Sequence, residues 1–194
     1  MGAAARAVRH HERSERYLTE LAAEFPGFRL IAKADDPLSR LLGGVVRLVT
    51  LGGQSHYMTR YVTTLGCRVY TPSDWEQMDD AARYIVLRHE AVHLRQFKRL
   101  GWVGMAVLYT LPLMPLGLAY GRARIEWAAF AETLRATAEV HGLDAAASPA
   151  LHARIQRQFT SGAYGFMWPF PRVIQRWMAE EMARIRVDMG DPER

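Results

Sequence analysis

The run His89-Glu90-Ala91-Val92-His93 constrains the chain more than any other feature of its sequence. Two imidazoles four positions apart meet only on an α-helix, where they share one face; on a strand the same pair would stand about 13 Å apart. On that helix face His89 and His93 can close on one metal ion, with Glu90 beside them to take a proton from water. The spacing is that of zinc-dependent hydrolysis, in which the metal acidifies water and the carboxylate carries its proton to the leaving group.

The flanks support a helix over residues 80–100. Asp79 and Asp80 give it an acidic start, no Gly or Pro interrupts it before the histidines, and Gly101 offers a stop. Ala82, Ile85, Val86, His89, His93, Gln96, Phe97 and Leu100 fall along one stripe at helical spacing. The histidines therefore belong to the face that otherwise reads as core.

Three protein ligands and one open position are what a hydrolytic zinc site needs. The metzincin continuation is excluded, because Gln96 and Arg99 stand where it requires Gly and His. Residues 122–140 read as a second strong helix stopped by Gly142, and Glu126 near its start is the best third ligand. Glu132 is its main competitor; six residues further on, it lies on a different face, so the two cannot easily serve one metal. Glu139, His141 and His152 are weaker alternatives. An ion pair with Arg122 is the structural alternative for Glu126 itself.

With Glu126-Trp127-Ala128-Ala129 following His89-Glu90-Ala91-Val92-His93, the chain resembles the gluzincin group of metallopeptidases, in which a second helix supplies a glutamate ligand. It is also similar, over residues 57–178, to small bacterial metallopeptidases that combine these helices with an apolar insertion and a later Trp-Pro-Phe segment, here Trp168-Pro169-Phe170. The resemblance implies His89, His93 and Glu126 as ligands of Zn2+ and Glu90 as general base. The Asp that often follows the ligand glutamate is replaced by Phe130, so the histidines must be oriented from elsewhere.

Residues 57–71 are rich in Tyr, Val and Thr and broken at Gly66, which predicts a hairpin or two adjoining strands before Pro72. Residues 15–25 read as a short amphipathic helix ending at Pro26-Gly27, and 173–187 as another helix. The fold class expected is α+β: one mainly helical zincin-like domain over 15–194, with a small sheet before the histidine helix and residues 1–14 as a mobile tail. By the resemblance, the edge strand of that sheet would align an extended peptide.

The 194 residues suffice for one sizeable core. The single cysteine, Cys67, excludes an internal disulfide framework and fits a reducing compartment; with no secretory signal in the first residues and no convincing acylation at Gly2, a cytoplasmic location is expected. The net charge of +5 comes almost wholly from arginine. Arg and Glu alternate through much of the chain and no recognised nucleic-acid motif accompanies them, so nucleic acid is not an expected partner.

Residues 101–121 carry no charge and reach the length of a membrane span. Pro112 and Pro115 interrupt them, and a single crossing would separate His89 and His93 from Glu126. The segment must return to its starting side, as a helix and turn folded over the core or in self-association, or as a shallow membrane hairpin. Residues 159–171 form an aromatic loop whose rings close the core or line a pocket; Tyr164 and Tyr120 are candidate donors to an oxyanion or substrate. The function expected is a zinc metallopeptidase acting on a peptide or protein. The alternative is a non-catalytic zinc-stabilised interaction or membrane-associated protein.

Overall fold

The computed structural model describes residues 3–33, 62–110, 119–161 and 167–190, with side chains from residue 13 onward and excluding 109–110. The described residues are mainly helical with one small sheet, and they fall into two compact units, 1–99 and 100–194.

In the first unit, α1 (Ala3–Glu24) is followed by β1 (Arg29–Ala32), β2 (Thr63–Leu65) and β3 (Arg68–Thr71), a 3-10 turn at Trp75–Gln77, and α2 (Asp80–Thr110), which runs on past the unit boundary. The helix α1 begins at Ala3 and so takes in the stretch expected as a tail; its first twelve residues contain alanines and arginines that favour helix, and no Gly beyond Gly2 or Pro to stop it. Ser14, Tyr17 and Leu21 form its buried stripe, which Phe25 continues just past its end. Three contacts tie α1 to α2 in the same chain direction. The Ser14 backbone N–H and hydroxyl donate to Asp80 Oδ1 at 2.9 and 2.5 Å, Tyr17 and Tyr84 meet edge to face at 5.4 Å, and Arg95 grips Glu24 through two bonds of 2.8 and 2.7 Å.

Parallel helices need a crossover, and the sheet lies in it. The strand β3 is central, pairing parallel with β1 (Arg29 opposite Arg68) and antiparallel with β2 (Leu65 opposite Arg68). Gly66, at φ 60°, makes the tight turn between β2 and β3 possible. The hairpin expected before Pro72 is therefore present at 63–71; its 57–61 part lies outside the described residues. The parallel strand β1 was not expected. Its four residues, Arg-Leu-Ile-Ala, are too short to show a period.

Entry into α2 is fixed by Asp79, whose carboxylate accepts from the Ala82 N–H at 2.7 Å, a capping bond that satisfies one of the orphan donors of the first turn. Gly101, at φ 65° and ψ 179°, breaks the helical path where the sequence places the stop, and helix resumes directly beyond it to Thr110.

The second unit packs α3 (Tyr120–His141), α4 (Leu143–Ala146), α5 (Pro149–Thr160) and α6 (Pro171–Asp188) around its own core. Ala123, Trp127, Ala131, Leu134 and Ala138 on α3 face Trp177, Met178 and Met182 of α6 and Phe159 of α5 within that cluster. Trp127 lies 5.6 Å from Trp177 and 6.5 Å from Phe159, ring to ring. Burying each such side chain contributes about 1.5–3 kcal/mol. Gly142, at φ 89°, ends α3 as expected. Helix α5 was not predicted, although Ser148-Pro149 marks its start: the Ser148 hydroxyl accepts from the Leu151 N–H at 3.4 Å and Pro149 occupies the first turn.

Candidate metal centre

The helix α2 carries His89 and His93 one turn apart, and their rings lie 5.1 Å between centroids at 71°. His93 is buried and His89 half-buried. Gln96, on the next turn of the same stripe, places its amide oxygen 2.9 Å from His93 Nδ1. An amide oxygen accepts only, so Nδ1 carries the hydrogen and Nε2 keeps the lone pair that a metal would use. Gln96 thus supplies to one histidine the orientation that the missing aspartate does not.

Glu90 is only 5 % exposed. A carboxylate so deep is expensive unless it is hydrogen-bonded or opposed by a cation, and it has both. Thr64 on β2 donates from Oγ1 to Glu90 Oε2 at 2.6 Å. Lys33, just past β1 and fully buried, is held in the sheet by its backbone N–H, which donates to the Thr71 carbonyl at 3.0 Å. Burial pushes the Lys33 ammonium down to about 8, while the Glu90 carboxylate works in the opposite direction and favours the cation. The sheet therefore delivers Thr64 to the candidate base and seats Lys33 where it feels the charge of Glu90.

Glu126 sits half-buried on α3. One ligand atom each from His89, His93 and Glu126 lie within 4.8 Å of one another. Glu132 is not in this group, Glu139 and His141 are exposed, and His152 has a ring nitrogen 3.0 Å from the Ala146 carbonyl. Tyr120 is 44 % exposed with its ring 5.0 Å from that of Trp168, which makes it part of an aromatic cluster with Phe170. Tyr164 lies outside the described residues. Phe159 and Met167, from the aromatic segment, are buried in the core of the second unit.

Sequence reasoning missed Lys33 and Thr64. For Lys33 a signal existed, since only two of the 25 cationic side chains are lysine and this one follows the apolar run Leu30-Ile31-Ala32. Thr64 had none, because its role depends on a contact 26 residues away. Comparison of the chain with protein-family models, curated proteins and solved structures returns no match.

Proposed function

We propose that this chain is a zinc-dependent hydrolase of the gluzincin kind, cleaving peptide bonds with Glu90 as general base. The observation that carries the reading is Glu90 itself: a buried carboxylate, held by Thr64 and faced by Lys33, directly beside a histidine pair at metal-binding spacing. A site that only joined two helices through a metal would have no use for such a group.

His89, His93 and Glu126 would hold the ion. Two imidazole nitrogens and one carboxylate oxygen are the donor set of several hydrolytic zinc enzymes and leave a fourth position open. Ligand atoms around a tetrahedral zinc are roughly 3.3 Å apart at bond lengths near 2 Å, and the 4.8 Å limit of the group brackets that spacing. When bound, zinc would supply Lewis acidity toward a carbonyl and acidify a water.

The remaining work falls to the chain. Glu90 accepts the proton of the attacking water and returns it to the departing amine nitrogen. The Thr64 hydrogen bond fixes the rotation of the carboxylate, so it meets the water in one orientation. Lys33 offsets the cost of keeping a charged base out of solvent. The strand β2 is an edge strand among the described residues, and Thr64 anchors it to Glu90. An extended peptide added along β2 by main-chain hydrogen bonds would run past the base.

The test is cleavage of a peptide library by wild type and by Glu90→Gln, each assayed for zinc. The proposal expects both proteins to bind zinc and the variant to cleave about 10²–10⁴-fold more slowly than the wild type.

A further inference from the structure

Beyond Gly101, α2 presents an apolar face to solvent. Leu100 is 38 %, Trp102 64 %, Val103 78 % and Val107 43 % exposed, and Ala106 between them is exposed as well. At 100° per residue Trp102, Val103, Ala106 and Val107 cover one continuous side of the helix beyond the break, with Leu100 just before it, while Met105 on the other side is buried. Single exposed apolar residues need no explanation, but a whole helix face of them does.

The charge along this stretch of the sequence is equally one-sided, although Glu24 pairs with Arg95 in the fold. Between Glu90 and Glu126 the chain has no acidic residue, while Arg95, Lys98, Arg99, Arg122 and Arg124 all fall there. Of the 25 Lys and Arg, these are five, and the other twenty are matched by the twenty Asp and Glu. The entire net charge of +5 therefore resides in residues 91–125, the stretch that contains the exposed apolar face. Lys98 and Arg99 are exposed and immediately precede it.

We propose that residues 98–107 dock this protein onto the surface of an anionic lipid bilayer, with Leu100, Trp102, Val103 and Val107 entering the headgroup region and Lys98 and Arg99 meeting the lipid phosphates. An interfacial helix needs an apolar face set in the acyl boundary, an aromatic residue at headgroup level and basic residues toward the anionic surface, and this stretch has all three. A second copy of the chain would satisfy the apolar face, but its identical excess of positive charge would oppose the pairing. No helix among the described residues is long and apolar enough to cross a membrane.

The experiment is flotation of the purified full chain with vesicles of phosphatidylcholine alone and of phosphatidylcholine mixed with phosphatidylglycerol. The wild type should float with the mixed vesicles, and high salt should release it. Neutralising Lys98→Gln and Arg99→Gln together should weaken binding on the order of 10-fold or more, at about fivefold for each basic residue near the surface. Val103→Glu and Val107→Glu, both at exposed positions, should abolish it while circular dichroism stays that of wild type. Failure of the wild type to float with anionic vesicles overturns the proposal. So does flotation that the two Glu substitutions leave unchanged, or a concentration-dependent dimer that Val103→Glu dissolves in the absence of lipid binding.

Discussion

Lys33 sits where its own charge is a burden, and the direction of that burden fixes a pH signature. Its ammonium is pushed from the ordinary 10.5 down to about 8 in the fold, chiefly by burial. Between about pH 8 and 10.5 the unfolded chain holds a proton that the folded chain has released, so stability rises with pH through that window. Relative to Lys33→Met, which lacks the titration, the wild type should gain up to about 3 kcal/mol across it in urea unfolding. Superimposable pH curves would remove Lys33 from its buried position beside Glu90. Thr64→Val should leave zinc affinity unchanged and lower kcat roughly 10- to 100-fold, the range for losing one hydrogen bond to a charged group; an unchanged kcat would mean that the 2.6 Å bond does not position the base. For the third ligand, Glu126→Ala should weaken zinc binding in a competition titration more than Glu132→Ala, and the reverse order would transfer the role. At this scale the sequence was informative where chemistry is local. His89, Glu90, His93 and Gln96 share one stripe of one helix and could be read together; Thr64 and Lys33 reach Glu90 only through strand pairing, which leaves no local trace.

Among the elements, the boundaries that depend on backbone chemistry were the legible ones. Gly101 and Gly142 both adopt positive φ at the predicted stops, and the Asp79 cap lies at the predicted start. Strand β1 and helix α5 were not predicted, the first because four residues cannot show a period, the second because its start is marked only by the short Ser148-Pro149 cap. Of the apolar segment expected over the core, in self-association or as a membrane hairpin, Trp102, Val103, Ala106 and Val107 are exposed and Met105 is buried, and residues 111–118, including Pro112 and Pro115, lie outside the described residues. Gly101 offers a clean test of the break in α2. With φ 65° and ψ 179° it occupies a region that side chains with a Cβ rarely enter, although nothing lies within 4 Å of where a Cβ would stand. Gly101→Ala should therefore destabilise the fold by about 1–3 kcal/mol through backbone strain alone. A change below about 0.5 kcal/mol in thermal unfolding would indicate that the helix runs straight through, since surface substitutions without strain fall in that range.

For the whole molecule, helical spacing and the Tyr-, Val- and Thr-rich segment pointed to a mainly helical chain with a small sheet, which the described residues show, because apolar period and glycine placement are summed over many residues. They could not reveal that α1 and the histidine-bearing α2 run parallel across a sheet crossover, which is a consequence of which strands pair. That topology is what brings β2 and the end of β1 onto Glu90. The central claim, that Glu90 is the base of a zinc-dependent peptide hydrolysis, meets its most direct test in a single comparison. Wild type and Glu90→Gln are loaded with zinc, their metal content is measured, and both are assayed on the same peptide library. The account predicts stoichiometric zinc in both and a rate lower in the variant by about 10²–10⁴-fold, the usual contribution of a positioned acid–base group. Equal cleavage by the two proteins, or a folded wild type that takes up no zinc, would contradict it.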